Sequence, residues 1–345
     1  MMKKAIALLL CLLLTLPAVG LAEEEKVVNI LSWVGYIDDD TLAAFERETG
    51  IDVVWSPMDS IDNMLLKVTE GGGAEYDLIL SSDYSLDILR KAGLLQKLDK
   101  EKLTNYQNLD PQFLGQVYDP DDEYVIPYIA GSPLIIYDPE AVPFEITSYA
   151  DLWNEALKDS VAVMDNSRII CGIALKTMGK SFNETDPEVL SQMQEVLLPL
   201  YANIRTFGDM ESYSAVTTGE ASVGFLFTPF VYMVQMDHPE YTVVYPEEGL
   251  GYGVDGFVIP EGAAHPDSAH ELLNYLMRPE VAAHNAEYQY YMCVNSAAQD
   301  YLSAIYLDSE VLNVPAEYLA DAEFIEDVGE TTTLYNDIYT AFKNQ

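Results

Sequence analysis

Short apolar runs alternate with amphipathic segments in the first part of the chain beyond residue 26. The β-branched runs Val27–Trp33, Ile51–Trp55 and Tyr76–Leu80 predict three buried strands. A helix is predicted after each strand, and these helices end at glycines such as Gly50 and Gly93. Buried strands that alternate with amphipathic helices predict an α/β fold built on a mainly parallel sheet with helices on both faces.

The pattern changes at an acidic, loop-like stretch between Asp110 and Asp122. The strands Tyr124–Tyr128 and Leu134–Tyr137 follow it, and the segment Ala130–Pro133 between them indicates that the chain crosses into a second lobe. The elements predicted beyond this crossing are, in chain order, a helix capped by Ser148 and Asp151, the strand Val161–Met164, a helix starting at Thr185–Glu188, the strands Ala221–Phe227, Tyr241–Tyr245 and Gly256–Pro260, the helices Pro266–Leu276 and Glu280–Tyr288, and a last helix Thr332–Lys343.

The first residues have the pattern of a secretory signal peptide. Lys3 and Lys4 precede the apolar run Ala5–Leu14, and a stretch of small residues ends at Ala22. The run is too short for a comfortable membrane span, so we expect residues 1–22 to be a signal peptide that is cleaved on export to the periplasm. About 320 residues would remain, which exceeds the usual size of a single hydrophobic core and predicts two domains.

The net charge of the chain limits the classes of molecule that it can bind. The sequence has 57 Asp and Glu against 17 Lys and Arg, a net charge of −40. Such a surface repels nucleic acid and anionic lipid and attracts cations. Acidic residues also keep an exported protein soluble, and this explains most of the charge, so the charge alone does not identify a cationic ligand.

Cysteines and histidines form no metal-ligand spacing along the sequence. Cys171 and Cys293 are the only cysteines after residue 22, so they make no disulfide framework, although one bridge between them stays open. Surface or capping roles are expected for the four histidines, which are His238, His265, His270 and His284. No cofactor is expected.

Sequence signatures of catalysis are absent. The chain has no nucleophile elbow, no zinc-protease helix motif, no phosphate-binding loop and no dinucleotide fingerprint after a strand. The glycine-rich stretch Gly249–Gly253 is followed by no lysine and no helix start, so we predict a flexible turn there. Paired carboxylates are uninformative in so acidic a chain. We expect a protein that is not an enzyme.

Aromatic and acidic residues collect at the ends of predicted strands, where α/β sheets bind ligands. They are Trp33, Tyr36, Tyr84, Asp255 and Tyr291. Aromatic faces attract ammonium groups and cover methylenes, and a buried carboxylate accepts a charge-assisted hydrogen bond from nitrogen. Each aromatic residue alone is explained as well by core packing, and Asp255 alone by a turn. Their shared placement favours a site for an organic cation.

Many ordered segments resemble one family over almost the whole chain after residue 22. They are Ser32–Tyr36, Phe45–Ile51, Glu75–Leu78, Leu94–Asp99, Leu103–Asn105, Asn108–Pro111, Ile126–Tyr128, Ala150–Trp153, Val254–Pro260 and Leu276–Pro279. The family is that of the periplasmic spermidine/putrescine-binding proteins of bacterial ABC importers. This resemblance implies a two-lobed type II periplasmic binding fold, in which two crossing segments join the lobes and a cleft closes on the ligand.

The resemblance also implies lobe boundaries and cleft residues. Residues 26–130 plus 256–300 would form the N-terminal lobe, and 131–255 plus 301–345 the C-terminal lobe. The residues expected to bind the ligand are Trp33, Tyr36, Ser82, Asp83, Tyr84, Asn166, Phe227, Asp255 and Tyr291. Asp255 matches the carboxylate that grips an amine in the family, and Phe227 stands where a tryptophan is usual.

Several positions depart from the family pattern. Val34 and Gly35 occupy a stretch that usually holds an acid, Asn166 and Ile169 replace carboxylates, and Ile325 replaces a polar contact. Desolvating each ammonium of a polyamine costs several kcal/mol unless acceptors replace its water. Asp255 anchors one end in this interpretation, and the other end needs one of four acids, which are Asp83, Asp165, Asp209 and Glu211.

The leading hypothesis is a monomeric solute-binding protein that captures a polyamine-type organic cation, putrescine or spermidine, and delivers it to the permease subunits of an ABC importer. The alternative keeps the fold and the importer role but changes the ligand to a monoamine, a zwitterion or another small solute, because cleft carboxylates are missing. A secreted enzyme or adhesin on the same fold is a third hypothesis, and no nucleophile–base pair or metal set supports it.

Overall fold

Two β-sheets flanked by helices make up the computed structural model, which describes residues 26–71 and 73–345. Within those residues the first sheet has seven strands and the second has five. The predicted α/β class is therefore confirmed. The predicted signal peptide at residues 1–22 lies outside the described residues. No helix among the described residues is long and apolar enough to cross a membrane.

The first part of the chain alternates strand and helix as its periodicity predicts. The elements are β1 (Val27–Ser32), α1 (Asp39–Thr49), β2 (Asp52–Pro57), α2 (Ile61–Gly71), β3 (Leu78–Ser82) and α3 (Asp83–Lys91). Helix α1 has Asp39 and Asp40 in its first turn, where carboxylates interact favourably with the helix dipole. It ends at Gly50, whose left-handed backbone (φ 70°) lets its N–H bond the Glu46 carbonyl at 2.9 Å.

The chain then passes from the first sheet into the second. Two short 3-10 helices, Tyr106–Asn108 and Pro111–Phe113, precede β4. The elements from there are β4 (Ile126–Gly131), β5 (Leu134–Tyr137), β6 (Val161–Val163), α4 (Ser167–Thr177), α5 (Pro187–Leu197), β7 (Ile204–Phe207), α6 (Asp209–Thr217), β8 (Val223–Leu226), α7 (Thr228–Asp237) and β9 (Thr242–Val244). The capping box at Ser148 and Asp151 is present and starts a 3-10 helix, Tyr149–Trp153. Two further 3-10 helices are Glu155–Leu157 and Leu198–Asn203.

The last part returns to the first sheet and ends on the second lobe. Its elements are β10 (Gly251–Val258), α8 (Pro266–Leu276), α9 (Pro279–Gln289), β11 (Met292–Cys293), α10 (Ala304–Leu307), α11 (Ala316–Leu319), β12 (Glu323–Phe324) and α12 (Thr332–Lys343), with 3-10 helices at Ser296–Tyr301 and Gly329–Thr331. Helix α12 packs against α4 and α5. Its buried side chains, among them Tyr335 and Phe342, join the core of the second lobe.

Both sheets are mixed, in contrast to the mainly parallel sheets predicted. The first has the order β11-β4-β10-β3-β1-β2, with β12 pairing the start of β10. Strands β1, β2 and β3 are parallel, whereas β10 runs antiparallel to β3 and β4. The second has the order β7-β6-β8-β5-β9, and β5 runs antiparallel to both of its neighbours. The antiparallel strands β4, β5, β9 and β10 flank the crossings between the lobes, which simple strand–helix alternation does not reveal.

The predicted flexible turn at Gly249–Gly253 is wrong for its second half. Gly251 and Gly253 lie in β10, the central strand of the first sheet. Pairing with β4 on one side fixes this glycine-rich backbone, and β12 pairs Gly251 on the other. Tertiary pairing therefore overrides the weak strand preference of glycine. Strand β10 ends at Val258, two residues before the predicted end.

Hydrogen bonds tie the two crossings together. The Ser132 hydroxyl, in the link between β4 and β5, donates to the Gly251 carbonyl at 2.7 Å. The Ser132 N–H donates to Thr228 Oγ1 at 3.0 Å, and that hydroxyl donates back to the Ser132 carbonyl at 2.8 Å. The sheets change between Gly131 and Leu134 and between Val244 and Gly251. The predicted lobe boundaries remain a prediction.

Cys171 and Cys293 are both free, so the disulfide that the sequence allowed between them does not form in this structure. Cys171 is buried in α4, and Cys293 lies in β11. His270 differs from its expected surface role because it is 4% exposed. Its Nε2 accepts from the Asp99 N–H at 2.8 Å and its Nδ1 bonds the Pro266 carbonyl at 2.6 Å. It therefore ties α8 to the loop after α3.

Candidate ligand-binding site

The carboxyl ends of β1 and β3 meet the central strand β10 at one place. Ser82, the last residue of β3, is the cross-strand partner of Asp255 in β10. On its other side Asp255 pairs with Ile129 of β4, next to a register shift between Asp255 and Gly256. Asp255 keeps partial exposure in an otherwise buried strand. The fold therefore presents a single carboxylate from the middle of the sheet.

Hydroxyl groups surround the Asp255 carboxylate. Burial raises its pKa, and the hydroxyls of Ser82 and Tyr36 act in the opposite direction. The phenol oxygens of Tyr36 and Tyr291 are 3.5 Å apart, and their rings are tilted by 56° with centroids 6.2 Å apart. Burial and the nearby Asp255 charge raise the pKa of both phenols, so both stay neutral donors at neutral pH. The Asp255 carboxyl group is therefore a partly buried acceptor next to neutral hydroxyl groups.

The turn after β1 places the aromatic residues of the first lobe. Gly35 has φ 74°, a conformation that glycine adopts without strain, and the Tyr36 N–H reaches the Trp33 carbonyl at 3.4 Å. The Tyr128 hydroxyl donates to the Tyr36 carbonyl at 2.9 Å and holds this turn. Trp33 and Tyr36 are partly buried and pack against the large core cluster. Both rings therefore lie at the edge of the core rather than inside it.

Two paired glycines lie on the same sheet surface as Tyr291. Gly131 of β4 and Gly253 of β10 are cross-strand partners. A Cβ added to Gly131 would lie 2.8 Å from Thr228 Oγ1 and 2.9 Å from a ring carbon of Tyr291. A Cβ added to Gly253 would meet nothing within 4 Å. Gly131 therefore admits the Tyr291 ring, and Gly253 leaves open space two residues from Asp255.

Asp83 is placed differently from the other predicted site residues. Its side chain is only 2% exposed, and its oxygens accept from the N–H groups of Tyr84 at 2.7 Å and Val254 at 3.0 Å. Burial raises the pKa of Asp83 to about 8, while these two N–H groups act to lower it. Because its acceptors are engaged by backbone, Asp83 links the start of α3 to the residue before Asp255.

The second lobe contributes few free acceptors. Asn166 precedes α4, and its Oδ1 accepts from the Ile169 N–H at 3.0 Å, so the side chain caps the helix. Phe227 precedes α7 and packs against the second core cluster. Ile169 and Ile325, which replace polar residues of the family pattern, are 5% and 6% exposed. This side of the site is largely apolar around Asn166.

Arg168 is buried in the second lobe close to the site, and the sequence analysis did not single it out. It is 5% exposed, and it donates to the Glu326 carbonyl at 2.7 Å and to Asn183 Oδ1 at 2.9 Å. Its guanidinium lies 4.8 Å from the Tyr335 ring centroid. Its positive charge also acts to lower the pKa of Tyr84 in the first lobe, against burial, which raises it. The only sequence signal for Arg168 was that it is a lone arginine in the segment 165–169, which was considered only for its acidic positions.

The four acids considered for a second cation have different surroundings. Asp165 is paired with Lys343 at 2.7 Å and accepts from the Tyr339 hydroxyl at 2.7 Å. The carboxylates of Asp209 and Glu211 accept no hydrogen bond from any side chain or backbone group in residues 26–71 and 73–345, and Asp83 is engaged by backbone. Burial and the charges of Asp165 and Glu211 raise the pKa of Asp209 to about 6. No group of three His, Cys, Asp or Glu suited to a metal occurs among the described residues.

Comparison with known proteins identifies the family. Residues 40–312 match the family described as bacterial extracellular solute-binding protein. The chain belongs to this family. The solute-binding protein is 33% identical over 323 residues to the spermidine/putrescine-binding periplasmic proteins of Salmonella typhimurium and Escherichia coli K12, which is 93% of this chain and 93% of each relative. It is 31% identical over 320 residues to the putrescine-binding periplasmic protein PotF of Escherichia coli, 87% of this chain and 86% of PotF.

Solved structures share the architecture of the solute-binding protein. PotD, the substrate-binding protein of a spermidine/putrescine ABC transporter from Streptococcus pneumoniae, has a TM-score of 0.81 and 29% identity, covering 92% of this chain and 99% of PotD. The TpPotD lipoprotein of Treponema pallidum has a TM-score of 0.84 at 24% identity and shows the fold alone. The family resemblance inferred from sequence segments and the two-lobed fold that it implied are confirmed.

Proposed function

We propose that this solute-binding protein captures a polyamine-type organic cation, putrescine or spermidine, between its lobes and delivers it to the permease of an ABC importer. The observation that carries the proposal is Asp255, a desolvated carboxylate beside Ser82, Tyr36 and Tyr291. An ammonium group placed there replaces lost water with charge-assisted hydrogen bonds. The names of the curated relatives support the same ligand class.

The aromatic residues complete the proposed site. Trp33, Tyr36 and Tyr84 from the first lobe and Phe227 from the second would cover the methylenes of the ligand and attract its charge. Asn166 would contribute a polar contact through the part of its amide that does not cap α4. Closure of the lobes on the ligand would exclude water and strengthen each of these contacts.

The proposal includes the setting of the protein. Residues 1–22 would be removed as a signal peptide on export to the periplasm, and the protein would act there as a monomer. It would release its ligand chemically unchanged, as a binding protein and not an enzyme. Recovering the ligand intact after prolonged incubation, with no new species by mass spectrometry, checks this last part.

Thermal unfolding with a ligand panel tests the ligand class. The mature protein is unfolded and refolded to strip carried-over ligand, then heated with putrescine, cadaverine, spermidine or spermine, and with amino acids and monoamines. A ligand at 100 times its Kd stabilises by about 2.7 kcal/mol, which raises Tm by a few degrees. A shift with the polyamines supports the proposal. If another solute raises Tm and no polyamine does, the proposed ligand is refuted and the importer role is retained.

A further inference from the structure

A diamine bound in the cleft needs a second anion, and this inference rests on the proposed function. Asp255 offers one carboxylate, whereas putrescine carries two ammonium groups at neutral pH. Each ammonium group taken from water needs acceptors of its own. Because Ile169 is apolar and Asn166 caps a helix, the loop after β6 offers few acceptors for an ammonium group. The question is which acid of the second lobe receives the other end of the ligand.

Parallel pairing places two acids side by side at one edge of the second sheet. Strands β6 and β7 are parallel, with Val163 opposite Phe207. Asp165 and Asp209 both follow two residues later, at the carboxyl edge of the sheet where α/β folds bind ligands. Gly208 turns the backbone between β7 and α6 with φ 111°, and a Cβ there would lie 2.5 Å from Glu211 Oε2. Asp209 is therefore held at the edge of the sheet.

Of the four acids, three are engaged or turned away. Asp165 neutralises Lys343, with both oxygens within 2.8 Å of the ammonium nitrogen. Asp83 is buried and bonded to two backbone N–H groups. Glu211 folds back over Gly208 at the start of α6. The carboxylate of Asp209 accepts no hydrogen bond and forms no ion pair within residues 26–71 and 73–345.

The charges of Asp255 and Asp209 both act on the phenol of Tyr291. Burial raises its pKa first, and the negative charges of Asp255 in the first lobe and Asp209 in the second raise it further. The phenol of Tyr291 therefore lies within the field of both acids. Tyr291 is thus a neutral group that the charges of both acids influence.

We propose that Asp209 is the second-lobe anchor for the second ammonium group, and that the ligand is a short diamine held between Asp255 and Asp209. In the family pattern the second acid follows β6, whereas in this protein it would follow β7. A ligand bridging both carboxylates also holds the lobes together, because Asp255 lies in a strand of the first sheet and Asp209 begins the helix that follows a strand of the second. Asp209 is then a specificity residue that selects for two charges over one.

Isothermal titration of Asp209→Asn with putrescine and with butylamine, which has the same carbon chain and one amine, tests this. The variant should bind putrescine about 10- to 100-fold more weakly, the loss expected for a hydrogen bond to a charged group. Its affinity for butylamine should change less than about threefold. Glu211→Gln is the matched control, because it removes the same charge two residues further along α6. It should leave both affinities near wild type.

A second variant keeps the charge and so guards against misfolding. Asp209→Glu lengthens the side chain by one methylene, and it should keep tight binding while shifting the preferred diamine from putrescine towards 1,3-diaminopropane. Wild-type affinity for putrescine in Asp209→Asn, or equal loss of putrescine and butylamine, overturns the anchor and leaves the proposed function intact. A wild-type protein that binds no amine overturns both.

Discussion

Asp255→Asn is the sharpest perturbation of the proposed site because it removes a charge and almost no volume. The amide keeps the shape of the side chain opposite Ser82 and beside Tyr36, so the pairing of β10 with β3 is preserved. It replaces two acceptor oxygens with one acceptor and one donor group. The donor faces the incoming ammonium group, which is itself a donor.

The expected loss follows from the burial of the site. Truncating one partner of a buried, hydrogen-bonded charge pair costs about 2–5 kcal/mol, which corresponds to about 30- to 4,000-fold in Kd. The partly buried Asp255 belongs within this range, since burial is the first cause of its raised pKa. We therefore expect putrescine affinity to fall at least about 100-fold.

Stability without ligand should move in the opposite direction. The folded protein raises the pKa of Asp255 above its unfolded value of 3.8, so the ionised carboxylate is disfavoured by folding. Its contribution to stability is present below that unfolded pKa and is lost as pH rises through the folded pKa. At pH 7.5 the amide removes this penalty, and Tm of the ligand-free variant should equal or exceed that of wild type.

Titration calorimetry with putrescine and thermal unfolding with and without ligand measure both effects. Asp267→Asn is the matched control, because this acid is 85% exposed in α8 and pairs with Lys102 at 2.6 Å, on the sheet's outer helix layer. The control should bind putrescine as wild type does. Affinity of Asp255→Asn within threefold of wild type would refute the amine-anchor reasoning, whatever its Tm.

Three further predictions address the walls and the support of the site. Gly131→Ala should lower both Tm and putrescine affinity, because its methyl group would collide with Thr228 and the Tyr291 ring. Gly253→Ala should leave Tm within a few degrees of wild type, because its methyl group would meet nothing within 4 Å. Equal behaviour of the two variants in thermal unfolding would contradict this geometry. Trp33→Ala should weaken putrescine binding about 2- to 30-fold by calorimetry, through lost cation–π energy, and an unchanged affinity would mean that the ring does not face the ligand. The stability that Asp83 contributes should be full below about pH 4 and decline as pH rises to about 8, because its folded pKa lies above 3.8; Asp83→Asn should flatten this decline in unfolding curves recorded from pH 5 to 8, and an equal slope would count against it.

Local sequence patterns predicted the elements whose own residues decide them. The strand–helix alternation from Val27 to Lys91 follows from periodicity, acidic first turns and glycine ends such as Gly50, all of which act within a few residues. Strand β7 was not predicted, because Ile204–Phe207 is short and only partly buried. The strand character of Gly251 and Gly253 comes from pairing with β12 and β4, which no local pattern reveals.

The site was predictable to the same extent. The carboxylate, hydroxyl and aromatic residues that the sequence placed at strand ends, with Ser82, Tyr36 and Tyr291 around Asp255, do lie together in the structure. Their roles in binding remain predictions. Sequence reasoning did not separate Asp83 from the other acids, because one of its two backbone partners, Val254 in β10, is distant along the chain. Arg168 escaped for the same reason, since its partners are distant carbonyl groups.

Among the described residues the two free cysteines, Cys171 buried and Cys293 partly buried, have a practical consequence. Burial raises the pKa of Cys171 to about 12 and that of Cys293 to about 11, so neither thiol forms an appreciable thiolate at neutral pH. A cysteine introduced at Val34, which is 72% exposed on the turn between Trp33 and Tyr36, would therefore react with maleimide dyes ahead of the native thiols. An environment-sensitive fluorophore there would stand at the rim of the cleft. A protein that comprises residues 26–345, in which Cys171 and Cys293 are the only native cysteines, is therefore suited to conversion into a single-dye optical sensor for its own ligand.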